Sequence, residues 1–135
     1  MKLELFFEEI YPHPIEKVWR ALTEPAALAS WLMPNDFEAR VGKRFTFRNE
    51  PQPGWRGRVD CEVIALEPPV RMVWSWLGTD EGDPTQVEFR LEAVEGGTRL
   101  TLAHTGATAP AMKERLGAGW PRRLAQLRVD LPSTA

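Results

Sequence analysis

The stretch TQVEFRLEAVEGGTRLTLAHT, residues 85–105, carries the clearest structural signal in the sequence. Val87 and Phe89 alternate with charged residues in its first half, and Leu100 and Leu102 alternate with polar residues in its second half. Alternation with a period of two is typical of a strand with one buried face. The Glu-Gly-Gly between the halves predicts a hairpin turn, because glycine accepts the positive φ that tight turns need. The stretch therefore predicts two neighbouring antiparallel strands.

Further strands are predicted on the N-terminal side of this hairpin. Apolar residues alternate with polar ones in ranges 2–11, 43–49, 55–66 and 71–77. Turn-rich segments, among them "EPQPG" and "EPP", separate them. Consecutive strands with short connections predict one antiparallel sheet of six or seven strands, and such a sheet needs one covered face.

Two short helices are predicted directly after the first strand. The apolar residues in range 15–22 have helical spacing. Thr23 is the expected N-cap of the second helix, with Pro25 in its first turn. This helix is expected to run to about Leu32 and to end before Pro34.

A longer helix is predicted near the C-terminus, where it would cover the sheet. We expect it to start within 117–121, with 111–116 as an extra or distorted turn, because two glycines and a proline weaken the preceding turn. The short helices would close one end of the sheet, which places Trp19 and Trp31 outside a fully filled core. Four apolar residues form the stripe of the long helix: Trp120, Leu124, Leu127 and Leu131.

Composition and charge exclude several classes of protein. The 135 residues are 43% hydrophobic and 27% charged, a soluble balance, and residues 1–135 are predicted to form one domain. A net charge of −2 with scattered basic residues argues against a nucleic-acid partner. The single cysteine fits a reducing compartment, and no segment has the length of a membrane span. We therefore expect a cytoplasmic protein.

Five segments of the sequence resemble a known superfamily. They are "PHPIEKVWRALTEPAALASWL", "RVGKRFTF", "VIALEPPVRMVWSW", "PTQVEFRLEAVEGGTRLTLAHTG" and "GAGWPRRLAQL". Together they are similar to the START-like, or polyketide cyclase (SRPBCC), superfamily, and most similar to the branch related to the ATPase activator of the 90-kDa heat-shock chaperone. The resemblance implies an α+β helix-grip fold, in which a curved antiparallel sheet grips a long C-terminal helix around an internal cavity.

The sequence contains no recognisable catalytic or metal-binding motif. His13 and His104 are the only histidines, and Cys61 is far from both in sequence, whereas a zinc site needs three or four ligands at characteristic spacings. Phosphate-binding glycine loops and the G-x-S-x-G nucleophile elbow are also absent. We therefore predict no metal, no cofactor and no assigned catalytic residue.

Large aromatic residues are candidates both for the core and for the wall of a cavity. Burying one tryptophan removes about 200 Å² from water and contributes on the order of 5 kcal/mol, so core packing alone would explain them. A helix-grip fold also allows them to line a pocket of roughly 300–1,000 Å³, the usual size of a ligand site. The residues predicted to contact a ligand are Trp19, Trp31, Phe45, Phe47, Trp55, Val59, Cys61, Met72, Trp74, Trp76, Phe89, Leu102, His104, Trp120 and Leu124.

Three functions stay open at the level of sequence. The leading hypothesis is a non-enzymatic module that binds a small hydrophobic or amphipathic molecule in an internal cavity, and a homodimer is left open. The first alternative is a cyclase- or hydrolase-type enzyme, which would need polar groups in the cavity, and only His104, Glu9 and Tyr11 are candidates. Glu9 could equally be a solvated strand end, and His104 a hydrogen-bonded structural histidine. The second alternative is a co-chaperone-like interaction protein, which the resemblance implies.

Overall fold

The computed structural model describes residues 2–80 and 82–133. Six strands form one curved antiparallel sheet in the order β1-β6-β5-β4-β3-β2, with two short helices after β1 and a long helix after β6. This architecture confirms the predicted α+β helix-grip fold. The elements are β1 Lys2–Tyr11, α1 Ile15–Thr23, α2 Pro25–Trp31, β2 Arg44–Arg48, β3 Arg58–Glu67, β4 Arg71–Leu77, β5 Thr85–Val94, β6 Gly97–Ala107 and α3 Pro110–Asp130, followed by a 3₁₀ turn at Leu131–Ser133.

The β5–β6 hairpin forms as its sequence predicts. Phe89 lies opposite Leu102, and the two-residue turn between the strands places Gly96 at a φ of +83°. Since alternate residues point to the same face of a strand, this register puts the apolar side chains of both strands on one side of the sheet. The predicted break between β3 and β4 is also present, at the cis peptide bond between Pro68 and Pro69.

The inner face of the sheet is covered by α3. Trp120, Leu124 and Leu127 of the helix are buried, as the apolar stripe predicts. Trp120 packs on Trp76 of β4, with ring centroids 5.3 Å apart, so the helix lies against the same side as the buried strand residues. The hydrophobic core therefore sits between one sheet face and this helix.

The α1–α2 boundary differs from the prediction at its cap. Thr23 belongs to α1, and its Oγ1 donates to the Trp19 carbonyl oxygen at 2.8 Å, so the prediction that Thr23 is the N-cap of α2 was wrong. Glu24 takes the cap position, and Pro25 is the first helical residue. Trp31 is fully buried, so its predicted place outside the filled core was also wrong, whereas Trp19 is only half-buried at the core edge.

Helix α3 begins earlier than the sequence suggests. It runs unbroken from Pro110, with Pro121 in its interior, so the predicted start within 117–121 was wrong. Each interior glycine costs only about 1 kcal/mol, and Pro121 lies on the exposed side. Burial of Met112 and Leu116 against the protein offsets these costs, because both side chains are partly removed from water.

Candidate functional site

A cavity of about 120 Å³ lies between the sheet and α3 and opens to solvent. Three indole rings from different elements meet at it: Trp76 from β4, Trp120 from α3, and Trp55 from the β2–β3 loop. The cavity is therefore built where the long helix, the sheet and one loop converge. Its other apolar wall residues are Leu32, Met33, Val59, Gly78, Met112, Leu116 and Gly119.

The loop that carries Trp55 is tightly held. The backbone N–H groups of Gln52 and Trp55 each donate to the other residue's carbonyl oxygen, at 3.0 and 2.8 Å. Gly57 has a φ of +83°, and a Cβ there would lie 2.6 Å from the Asn49 carbonyl oxygen, so only glycine fits. The loop thus presents the half-buried Trp55 to the cavity in a defined position.

Three arginines of α3 complete the cavity wall. Arg115 donates from Nη2 to the Pro53 carbonyl oxygen at 2.9 Å, and Arg123 donates from Nη1 to the Leu32 carbonyl oxygen at 2.5 Å. Arg122 is exposed at the same rim. Burial, followed by repulsion from Arg122, lowers the pKa of Arg123. The opening of the cavity is therefore cationic, whereas the other residues of its wall are uncharged.

His104 lies behind the cavity wall, in a continuous chain of hydrogen bonds that joins two wall residues, Trp120 and Trp76. Trp120 Nε1 donates to His104 Nδ1 at 3.0 Å, so the imidazole proton belongs on Nε2, which lies 2.7 Å from Thr85 Oγ1. The Thr85 hydroxyl in turn donates to the Trp76 carbonyl oxygen at 3.1 Å. Burial lowers the pKa of His104 to about 4. His104 is therefore a neutral, fully hydrogen-bonded histidine.

The other two polar candidates, Glu9 and Tyr11, lie on the edge strand β1 and point to different partners. Glu9 forms an ion pair with Arg128 at 2.9 Å and is partly exposed. The Tyr11 hydroxyl donates to the Leu124 carbonyl oxygen at 2.9 Å, and burial raises the pKa of Tyr11. Neither residue is part of the cavity wall.

A filled aromatic core occupies the centre of the protein. The ring centroid of Trp74 lies 4.8 Å from that of Phe89 and 5.4 Å from that of Phe45. Because these rings fill the inner face of the sheet, the cavity is displaced to the helix side, and its 120 Å³ is smaller than the predicted pocket. Cys61 is buried in this core, and burial raises the pKa of its thiol.

The residues predicted to contact a ligand thus divide into two groups. Trp55, Val59, Trp76 and Trp120 line the cavity. Contact between these residues and a ligand stays a prediction. The others lie in the core or at its edge: Trp19, Trp31, Phe45, Phe47, Cys61, Met72, Trp74, Phe89, Leu102, His104 and Leu124.

Several residues of the cavity wall, most of them on α3, were not predicted from the sequence. Met112, Leu116 and Trp120 follow one another at a spacing of four, so they continue the stripe of the helix by two turns towards its N-terminus. This spacing could have identified them, but Gly117 and Gly119 suggested a break instead. Met33, in the segment after α2, follows no periodic pattern that points to the cavity.

Neither a metal cluster nor a membrane-crossing helix occurs in the described ranges. Within residues 2–80 and 82–133, no group of three or more His, Cys, Asp or Glu side chains is placed to hold a metal ion. Of the helices in that part of the chain, none combines the length and the apolarity that crossing a bilayer requires.

Known proteins of similar sequence and structure give the context of this site. The family described as "Activator of Hsp90 ATPase homolog 1-like protein" matches residues 12–131. Protein MLL2253 from Mesorhizobium loti is 33% identical, with a TM-score of 0.87 over 98% of both chains. BH1534 from Bacillus halodurans is 28% identical, with a TM-score of 0.79 over 96% of this chain and 98% of its own. CalU16 from Micromonospora echinospora is 26% identical, with a TM-score of 0.79 over 95% of this chain and 75% of its own. No curated protein matches the sequence significantly.

Proposed function

The chain belongs to the family of Activator of Hsp90 ATPase homolog 1-like proteins, and we propose that it binds a small apolar or amphipathic molecule beside Trp55, Trp76 and Trp120. The observation that carries this proposal is the open apolar cavity at which these three indole rings meet. Trp76 and Trp120 are already largely buried, so the free energy gained when an apolar group enters comes mainly from covering the half-buried Trp55 and the other apolar wall atoms that water still reaches.

The size of the cavity limits the ligand. An engineered apolar cavity of about 150 Å³ in another protein takes up one benzene molecule, and the cavity here measures about 120 Å³. The part of the ligand that enters is therefore about one aromatic ring or a short branched chain, and any larger portion stays at the open side.

The positions of the polar side chains favour binding over catalysis. A general base needs a free lone pair directed at the substrate. Both ring nitrogens of His104 are engaged, and the Tyr11 hydroxyl and the Glu9 carboxylate have partners outside the cavity wall. A binding role requires none of these groups.

A second candidate function follows from the family match over residues 12–131: an interaction with the Hsp90 chaperone that stimulates its ATPase. The rate of ATP hydrolysis by Hsp90, measured with and without the protein, tests this candidate. An unchanged rate, together with no complex in sedimentation, would remove it.

Filling the cavity tests the binding proposal. A Cβ on Gly119 meets no atom within 4 Å, so Gly119→Leu should place its side chain in the cavity while the helix still forms. Titration with phenylpropanol, followed through the indole N–H signals in ¹⁵N–¹H spectra, should show saturable shifts for Trp55, Trp76 and Trp120 in the wild type. Gly119→Leu should abolish these shifts.

The matched control is Ala118→Leu, which adds the same side chain at the neighbouring exposed position of α3. This variant should bind phenylpropanol like the wild type. Wild-type spectra that do not change, or saturable shifts that persist in Gly119→Leu, would contradict binding in this cavity.

A further inference from the structure

We propose that the ligand is a small organic carboxylate whose anionic head is held by Arg115, Arg122 and Arg123 at the cavity rim, an inference that rests on the proposed binding function. These three side chains share the cavity with the indole rings, and no Asp or Glu side chain belongs to the wall. The site therefore combines an apolar pocket with three positive charges at its opening.

The charge at the rim is not a general property of the surface. The protein as a whole carries a net charge of −2. Many arginines elsewhere are neutralised locally; for example, Arg56 pairs with Asp80 at 2.6 Å, and Arg71 pairs with Glu88 at 2.6 Å. Within residues 2–80 and 82–133, by contrast, none of the three rim arginines forms an ion pair with a carboxylate. The rim thus brings three arginines without a carboxylate partner in the described ranges together at one cavity.

Two of the rim arginines are held in place by the backbone. Arg115 is bound to the Pro53 carbonyl oxygen, which ties α3 to the loop of Trp55, and Arg123 is bound to the Leu32 carbonyl oxygen after α2. Each of these contacts uses one of the five N–H donors of a guanidinium group, so further donors remain for a ligand. Fixed guanidinium groups lose little conformational freedom when they bind a carboxylate.

Repulsion within the rim adds to the argument for an anion. Arg122 directly precedes Arg123, and its charge acts on the half-buried Arg123. A carboxylate between them replaces this repulsion with attraction. The apolar pocket would hold about one ring of the same ligand, so the matching class is an aryl or short-chain carboxylate.

Three probes with the same ring and chain test the inference: phenylpropanoate, the neutral phenylpropanol and the cationic phenylpropylamine. Dissociation constants come from the indole N–H shifts. Phenylpropanoate should bind about threefold to tenfold more tightly than phenylpropanol, phenylpropylamine should bind most weakly, and added salt should narrow the difference. Arg122→Gln should reduce the preference for the anion, because it removes one of the three rim charges and leaves the backbone contacts of Arg115 and Arg123 in place.

The control is Arg48→Gln, which removes one exposed positive charge outside the cavity wall and should leave the preference unchanged. If phenylpropanol and phenylpropanoate bind equally in the wild type, the carboxylate inference fails while the binding proposal stands. If no probe binds, both fail. If Arg122→Gln and Arg48→Gln weaken the binding of phenylpropanoate equally, the preference for the anion comes only from the long-range effect of the protein's charge. That result would overturn the proposed role of the rim.

Discussion

The indole Nε1 of Trp120 donates a 3.0 Å hydrogen bond to Nδ1 of His104, which joins the long helix to the last strand of the sheet. Both side chains are buried. Trp120 also forms part of the cavity wall, so the ring that faces the cavity is oriented by a histidine from the core. The imidazole must be neutral to accept this bond, since protonation at Nδ1 would set two donors against each other.

The stability of the protein should fall in mild acid because of His104. Burial lowers the pKa of His104 to about 4 from its ordinary value of 6.5. Between pH 6.5 and pH 4, His104 binds a proton in the unfolded chain but not in the folded protein. The contribution of neutral His104 to the free energy of unfolding is therefore full above about pH 6.5 and is lost as the pH falls towards 4. From pH 7.5 to pH 5, the free energy of unfolding should decrease by about 2 kcal/mol through this residue.

Urea unfolding of the wild type and of His104→Gln at both pH values measures this contribution. Carboxylates titrate in both proteins. Subtracting the decrease in the free energy of unfolding of the variant from that of the wild type therefore leaves the contribution of His104. The decrease should be about 2 kcal/mol smaller in the variant. Equal decreases would show that His104 does not stay neutral in the folded protein.

The proton of His104 should reside on Nε2. The chain of donors runs from Trp120 through His104 to Thr85 and ends at the Trp76 carbonyl oxygen, and only this tautomer satisfies every step. In ¹⁵N spectra that correlate ring nitrogens with ring protons, Nδ1 should resonate as an unprotonated nitrogen at pH 7. His13 gives a reference in the same spectrum. A protonated Nδ1 would reverse the chain and contradict the donor role of Trp120.

Strand patterns could be predicted from the sequence because they are local. Val87 and Phe89 alternate with charged residues, and this period alone places them on the inner face. The start of α3 could not be predicted in the same way, because Gly117 and Gly119 weaken the local signal and only packing with the rest of the protein overrides it. The cavity wall depends on contacts across the chain, such as that of Arg115 with Pro53, which no local pattern encodes.

The two glycines of the β5–β6 turn should respond differently to substitution. A Cβ on Gly97 would lie 2.0 Å from the Tyr11 carbonyl oxygen, so Gly97→Ala must displace β1 from β6 and should cost about 3 kcal/mol. A Cβ on Gly96 meets no atom within 4 Å, and its positive φ is one that asparagine tolerates. Gly96→Asn should therefore cost less than about 1 kcal/mol in urea unfolding. Similar costs for both variants would contradict the close approach of β1 to Gly97.

The buried indole of Trp31 should contribute more through its N–H group than the buried indole of Trp74. In a continuous helix the Ala21 carbonyl would accept from the N–H of residue 25, but that residue is Pro25 and has no N–H. Trp31 Nε1 supplies the missing donor at 2.8 Å. Trp74 Nε1, in contrast, has no acceptor within the described ranges. Trp31→Phe therefore leaves the buried Ala21 carbonyl without a hydrogen-bond donor, whereas Trp74→Phe removes an indole N–H that has no acceptor in those ranges.

Both substitutions remove a similar part of a buried ring, so their difference isolates the hydrogen bond. Trp31→Phe should lower the free energy of unfolding by about 1–2 kcal/mol more than Trp74→Phe does, because an unpaired buried carbonyl carries its full desolvation cost. Urea unfolding at pH 7.5, where His104 stays neutral, provides the measurement. Equal losses would mean that the Ala21 carbonyl finds another donor when Trp31 is replaced, and that the indole serves the α1–α2 corner only by filling space.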